Sequence, residues 1–238
     1  MSIIRAGDRH LSDFGWLKTY WLFSFSDYHD PENIRHGMLR VFNDDVVQPG
    51  KGFPTHPHEE MEIITIVLDG EVTHEDSMGN RTVIRPGDVQ RMSAGTGLTH
   101  SEYNLGRKPV HFYQVWIFPD KRGLTPSYAQ KSFEPAAWNN RLLPVASGQN
   151  LKDTVTFHTD ATVYRAGLDE GKTLTYPSAG NRAVFVYVTS GKMELNGEVL
   201  RKNDQARLRV KGYLDFRGTH AATEFILVDS PAQRKSEK

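Results

Sequence analysis

The chain has no cysteine among its 238 residues. Disulfides and thiolate metal sites are therefore excluded, and any bound metal must be held by nitrogen and oxygen. Net charge is lacking too. Lys plus Arg and Asp plus Glu each number 29, so no overall field draws the protein to nucleic acid or to an anionic membrane. No apolar run approaches the ~20 residues that span a bilayer, and Met1 to Asp8 lacks the basic-then-apolar order of a signal peptide. A cytoplasmic protein is the expectation. Walker, GxGxxG and GxSxG motifs are all missing, which leaves nucleotide-dependent and serine-hydrolase chemistry without support.

What is present points to β-structure. Short Val/Ile/Phe/Tyr runs are separated by many of the 20 Gly and 12 Pro, the pattern of an all-β protein with frequent turns. Strands are expected over Trp16 to Asp27, Met38 to Phe42 and Val46-Val47, then from Phe53 through Glu62 into the apolar run Ile63 to Leu68. Asp69-Gly70 is a hairpin signal. Further strands are expected over Glu71 to Asp76, Arg81 to Arg85, Val89 to Met92 and Phe112 to Phe118. Strands at this spacing form a sandwich or a barrel. Pro119 to about Asn150 reads as a linker with docked turns, with a short helix at Phe133 to Trp138.

The second half repeats the first. Gly50-Lys51 matches Gly171-Lys172, and Val67-Leu68-Asp69-Gly70 matches Val188-Thr189-Ser190-Gly191 at the same spacing. After a shorter hairpin, Gly87 to Arg91 corresponds to Asn203 to Arg207. This is the signature of a duplicated β-unit. The expected organisation is a unit over 1–125, a linker over 126–150 and a second unit over 151–238.

Two residue pairs carry the chemistry. His56-Pro57-His58 and His100-Ser101-Glu102 each place metal-ligand side chains at i and i+2. On a strand that spacing puts both on one face, with Cα atoms ~6.5 Å apart. Two such strands facing one another would converge three imidazoles and one carboxylate. Alone, an H-x-H fits two histidines on a solvated face equally well; the second pair makes a shared ion the better reading. Three neutral imidazoles and a carboxylate suit a divalent ion such as iron, copper, nickel, manganese, zinc or cobalt. Four protein ligands leave a position open, the mark of a catalytic site. Applied to the repeat, the ligand positions fall on Pro177, Ala179, Phe216 and Gly218, so a metal belongs to the first unit only.

The wider text resembles a known family. Gly52-x3-His56-x-His58-x3-Glu62-x7-Gly70 is similar to the first cupin motif, and Gly87-x7-Gly95-x4-His100-x3-Asn104 to the second. Thr55 to His58, Met61 to Ile63, Asp76 to Asn80, Ser93 to Gly97 and His100 to Asn104 together resemble the pirins, the bacterial pirin-like proteins above all. The resemblance implies a bicupin: two tandem antiparallel β-barrels of jelly-roll type with few short helices, the second degenerate. It implies metal ligation by His56, His58, His100 and Glu102, with iron the first expectation, and quercetin 2,3-dioxygenase activity. Glu102 would then be a ligand with a second role as proton acceptor. The general cupin carboxylate falls instead on Glu62, read as an acceptor behind the ligands, an alternative ligand, or a plain surface ion pair.

Phe53 and Gln114 are the candidates for substrate contact: Phe53 sits near the ligand strand, and Gln114 alternates onto one face with Phe112 and Trp116 and, as a buried amide, needs a partner. His74 and His111 read as ordinary hydrogen-bonded histidines, His158 as a contact between units and His220 as structural. Arg207, Arg209 and Lys211 read as a solvated strand exterior, and Gln233 to Lys238 as a frayed tail. The function expected is a metal-dependent dioxygenase acting on a flavonol-like substrate with O₂. The alternative is a metal-bound redox or ligand sensor that regulates a protein partner. A monomer is expected, a dimer being the alternative.

Overall fold

The computed structural model describes residues 1–209 and 211–233; of the expected tail, only Gln233 falls within them. Among the described residues strands dominate, and helix is confined to single 3₁₀ turns at Ala6–Asp8 and Pro135–Trp138. Among the described residues no helix is long and apolar enough to cross a membrane.

Each half of the chain builds a seven-stranded sheet facing a four-stranded one. The first four-stranded sheet runs Gly52–His58, Leu98–Tyr103, Val72–Asp76, Arg81–Ile84; the second runs Thr173–Ser178, Gly212–Gly218, Lys192–Leu195, Glu198–Arg201. The strand order is the same, as duplication predicts. Among the described residues the strands pair antiparallel, apart from Val155–Thr156 alongside Arg141–Ser147 and an isolated parallel bridge between Asn139 and Gly167. These paired sheets have the layered form of a jelly roll.

The large sheets are filled from both faces because their strands alternate. Along Leu39–Val47, Phe42 turns to one side while Asn43 and Asp45 turn to the other. Along Glu62–Asp69, Ile64 and Ile66 share the side of Phe42, and along Val110–Ile117 so do Tyr113, Val115 and Ile117. That side packs against the second unit. Phe42 lies 5.1 Å from Phe185 and 5.1 Å from Tyr187, ring centre to ring centre. One apolar core therefore belongs to both halves, and each aliphatic side chain within it contributes about 1.5–3 kcal/mol.

Edge strands cross between the units. Ser2–Ile4, at the start of the chain, pairs with Gln205–Leu208 in the second large sheet. Ser127–Ser132 pairs with Asp88–Ser93 in the first. The segment 126–150 thus carries a strand of each large sheet, Ser127–Ser132 and Arg141–Ser147, where docked turns were expected. Arg207 is no solvated exterior either. It donates to Asn33 Oδ1 and the Leu22 carbonyl, and its guanidinium lies 4.1 Å from the Phe23 ring centre, clamping the first unit to the second.

Candidate metal centre

The ligand strand ends earlier than the sequence pattern suggested. It spans Gly52–His58 in the small sheet, and a new strand, Glu62–Asp69, begins in the large sheet. Between them Glu60 adopts a left-handed φ of 50° and donates its N–H to the Gly95 carbonyl. Gly95 itself has φ of 49°, and a Cβ there would meet the Leu124 carbonyl oxygen at 2.0 Å, so only glycine fits. These turns fix how the chain enters the strand Leu98–Tyr103.

That strand pairs His100 with His56 and Leu98 with His58. The register then shifts so that Glu102 pairs with Phe53, and a bulge of this kind re-aims the side chain that follows it. Gly52 is part of the same device, since a Cβ on it would sit 2.2 Å from the Glu102 carbonyl oxygen.

The result is a convergence of imidazoles. Ligand nitrogens of His56, His58 and His100 all lie within 4.8 Å of one another. His56 Nε2 and His100 Nε2 are 3.1 Å apart. His56 Nδ1 is 2.8 Å from the Pro54 carbonyl, which accepts its proton and leaves Nε2 as a free lone pair. Two nitrogens 3.1 Å apart and each about 2.1 Å from one ion would subtend about 95°, so the donor set and its spacing fit a divalent transition ion. Burial lowers the pKa of His58 to about 4 and of His100 to about 2, the neighbouring imidazoles adding to the effect. Neutral imidazoles are the form a metal requires.

Glu102 is 4 % exposed and close to His100, but its oxygens are engaged elsewhere. Gln114 Nε2 donates to Oε2 at 2.8 Å, and the Thr65 hydroxyl to Oε1 at 3.2 Å. Thr65, Gln114 and Asn43 are in register across three strands of the large sheet, so a polar row underlies the carboxylate. Burial raises the Glu102 pKa to about 7, against the lowering effect of these two hydrogen bonds.

Glu62 is not beside the ligands. Strand alternation turns it away from the face that Ile63 shares with the cavity, toward the second unit. There it accepts from the Ser93 hydroxyl at 2.5 Å and meets His158 Nδ1 at 3.1 Å. It is a buried contact between the units, not a ligand, an acceptor behind the ligands or a surface pair. His111 bonds Asp44 at 2.6 Å, and His220 lies by the Ala221 carbonyl. In the second unit Phe216, the counterpart of His100, pairs with Leu174 and not with Pro177, and Tyr176 pairs with Leu214 as His58 does with Leu98. The register thus moves the expected counterparts of His56 and His58 from Pro177 and Ala179 to Leu174 and Tyr176. Leu214 and Phe216 are fully buried, so the equivalent space is packed core.

A cavity of about 410 Å³ opens from the imidazoles. Its walls include Trp16, Trp21, Phe25, Phe53, Ile63 and Trp116, and Gln114 and Glu102 reach it as well. Both sequence candidates for substrate contact, Phe53 and Gln114, thus line it. Trp116 sets its ring edge-on to His58 at 4.8 Å. Asn43 and Asp45 also line the cavity, and nothing in the local sequence singled them out.

Asp45 provides a pH test. Burial, helped by the charges of Asp44 and Glu102, pushes its pKa from 3.8 up to about 8. Between those values the folded protein holds a proton that the unfolded chain has released. The stability from that proton is complete below about 4 and is lost as pH rises through about 8. Asp45→Asn removes the dependence. In metal-free protein its stability relative to wild type should climb between pH 5 and pH 8 by up to about 1.4 kcal/mol per unit. Denaturant titrations at several pH values read this directly, and a pH-independent difference would contradict it.

Comparison with known proteins agrees with this architecture. Residues 5–117 match the Pirin family model and residues 144–230 match the model described as Quercetinase C-terminal cupin domain. The chain is 40% identical over 220 residues to a pirin-like protein of Caulobacter vibrioides, covering 92% of this chain and 94% of the relative. It is 42% identical over 195 residues to the quercetin 2,3-dioxygenase of Escherichia coli, covering 81% and 83%. The crystal structure of YhhW from Escherichia coli superposes with a TM-score of 0.92 at 36% identity, over 97% of each chain. Bacterial pirin YhhW in complex with nickel(II) gives 0.91 at 35% identity, over 97% of this chain and 98% of that one. With such identity along almost the whole length, on a cupin-type pair of β-units, the chain belongs to the pirin family.

Proposed function

We propose that this protein is a metal-dependent dioxygenase that opens flavonol-type substrates with O₂, using His56, His58, His100 and Glu102 to hold one divalent transition ion. The observation that supports it most is the placing of the imidazole cluster at one end of an aromatic cavity of about 410 Å³. That size falls within the range of small-molecule sites. The relatives named quercetin 2,3-dioxygenase and the nickel-bound relative point the same way. An ion held by these residues, iron first among the candidates, supplies a Lewis-acidic centre that acidifies a substrate hydroxyl and gives access to redox chemistry with O₂.

The chain's own residues do the rest. Trp16, Phe53 and Trp116 offer aromatic faces and edges to a flat ring system and keep water from it. A flavonol presents adjacent hydroxyl and keto oxygens, and this edge points toward the imidazoles. Glu102 is the acceptor for the hydroxyl proton, held for that purpose by Gln114 and Thr65. The deprotonated ring is then electron-rich enough to take up O₂, open, and release one carbon as carbon monoxide.

Chelator-stripped protein should show no flavonol-dependent O₂ uptake. Refilling with iron, nickel, copper, manganese, cobalt or zinc should restore it for at least one ion. Failure of every ion to restore uptake would overturn the dioxygenase assignment.

A further inference from the structure

One fully buried histidine is not used by the chemistry above. His74 has no exposed surface, and both ring nitrogens have partners. His74 Nε2 lies 3.0 Å from Asp76 Oδ2, and His74 Nδ1 lies 3.4 Å from His100 Nδ1. Register places the three together, since His100 pairs with Asp76 and Glu102 with His74 across adjacent strands. Asp76 is anchored in turn: its Oδ1 accepts from the backbone N–H groups of Met78 and Asn80, and Asn80 Nδ2 donates to both carboxylate oxygens. The Tyr128 ring packs on His74 with centres 5.0 Å apart.

We propose that Asp76 and His74 form a buried relay that fixes the tautomer and orientation of His100, so that its Nε2 lone pair is presented to the metal position. With both imidazoles neutral, the form that metal ligation requires of His100, the proton inventory allows one arrangement. An ionised carboxylate only accepts, so His74 Nε2 carries the proton given to Asp76. His74 Nδ1 is then a lone pair and accepts from His100 Nδ1–H. That leaves His100 Nε2 unprotonated and facing His56 Nε2. A phenylalanine would fill the same space without burying two ring nitrogens, whose desolvation costs free energy unless both are hydrogen-bonded. His74 and Asp76 act through His100 and are positioning residues. The inference rests on the metal-centre reading.

The test compares His74→Phe, His74→Asn, Asp76→Asn and His58→Ala with wild type. Three quantities are read on each: zinc affinity by chelator competition, the metal-free melting temperature, and the electron paramagnetic resonance spectrum of the copper(II)-loaded protein. His74→Phe leaves His100 Nδ1–H without an acceptor and should weaken zinc binding by ~10–100-fold, with a changed copper spectrum. His74→Asn keeps an acceptor oxygen and should recover part of that loss. Asp76→Asn can turn an N–H toward His74, reversing its tautomer, and should weaken zinc binding although the substitution is remote from the ion. The relay is overturned if His74→Phe and Asp76→Asn lower only the metal-free melting temperature, while zinc affinity and the copper spectrum stay at wild-type values and His58→Ala loses the metal. Zinc bound as tightly by His58→Ala as by wild type would overturn the metal-centre reading and the relay with it.

Discussion

His58→Ala should lose bound metal and flavonol-dependent O₂ uptake together, while the metal-free protein keeps its fold. The reasoning is geometric. His58 is one of the three imidazoles whose nitrogens lie within 4.8 Å of each other, and it is only partly buried. It packs beside Trp116 and His100 without a hydrogen bond that the strand depends on. Truncation therefore removes a ligand without opening the core. Residues that merely support a ligand are worth ~10–100-fold in affinity, so loss of a ligand itself should exceed about 100-fold. A second readout is thermal. Metal at about 100 times its dissociation constant stabilises a folded protein by about 2.7 kcal/mol, or roughly 5–10 °C for a chain of this size. Wild type should show that upward shift on metal addition and His58→Ala should not. An equal shift in both would contradict the assignment of His58.

Phe185→Ala should destabilise the metal-bearing unit although Phe185 belongs to the other half. Its ring is fully buried 5.1 Å from Phe42 and 5.9 Å from Phe23, both of the first unit. Truncating a buried phenylalanine typically costs about 3–5 kcal/mol through lost transfer energy and the cavity left behind. At this chain length that corresponds to a fall in melting temperature of roughly 10 °C. Because both large sheets close on one core, unfolding should remain a single transition, with bound metal released in the same temperature range. Calorimetry with a chromophoric chelator present measures both events. A first unit that keeps its metal up to the wild-type temperature would show that the halves do not share stability. Such sharing gives the second unit a physical role as the buttress of the sheet beneath the site.

Much of this was written in short-range pattern. The convergence of His56, His58 and His100 was legible because i, i+2 spacing survives in any strand, and matching segments revealed the repeat. Phe53, beside the ligand strand, and Gln114, by alternation, both line the cavity. What the pattern concealed depended on single backbone events or on pairings between distant segments. Nothing in Glu59-Glu60-Met61 announces that Glu60 will take a left-handed φ, yet that turn moves Glu62 into another sheet and turns it toward His158. His74 gained its meaning from cross-strand register with Glu102 and His100, which a lone histidine in a strand does not reveal. Asp44-Asp45 reads as a polar pair; only the fold separates them, sending Asp45 to the cavity and Asp44 to Arg9, His111 and Tyr187. The exchanged edge strands Ser2–Ile4 and Ser127–Ser132 were hidden for the same reason.

The most direct test is anomalous X-ray diffraction from crystals of protein refilled with the ion that restores O₂ uptake. One anomalous peak per chain is predicted, with Nε2 of His56 and His100, a ring nitrogen of His58 and a carboxylate oxygen of Glu102 at about 2.0–2.3 Å from it. A peak bound elsewhere, or an ion held by the imidazoles while both Glu102 oxygens stay with Thr65 and Gln114, would contradict the four-ligand centre.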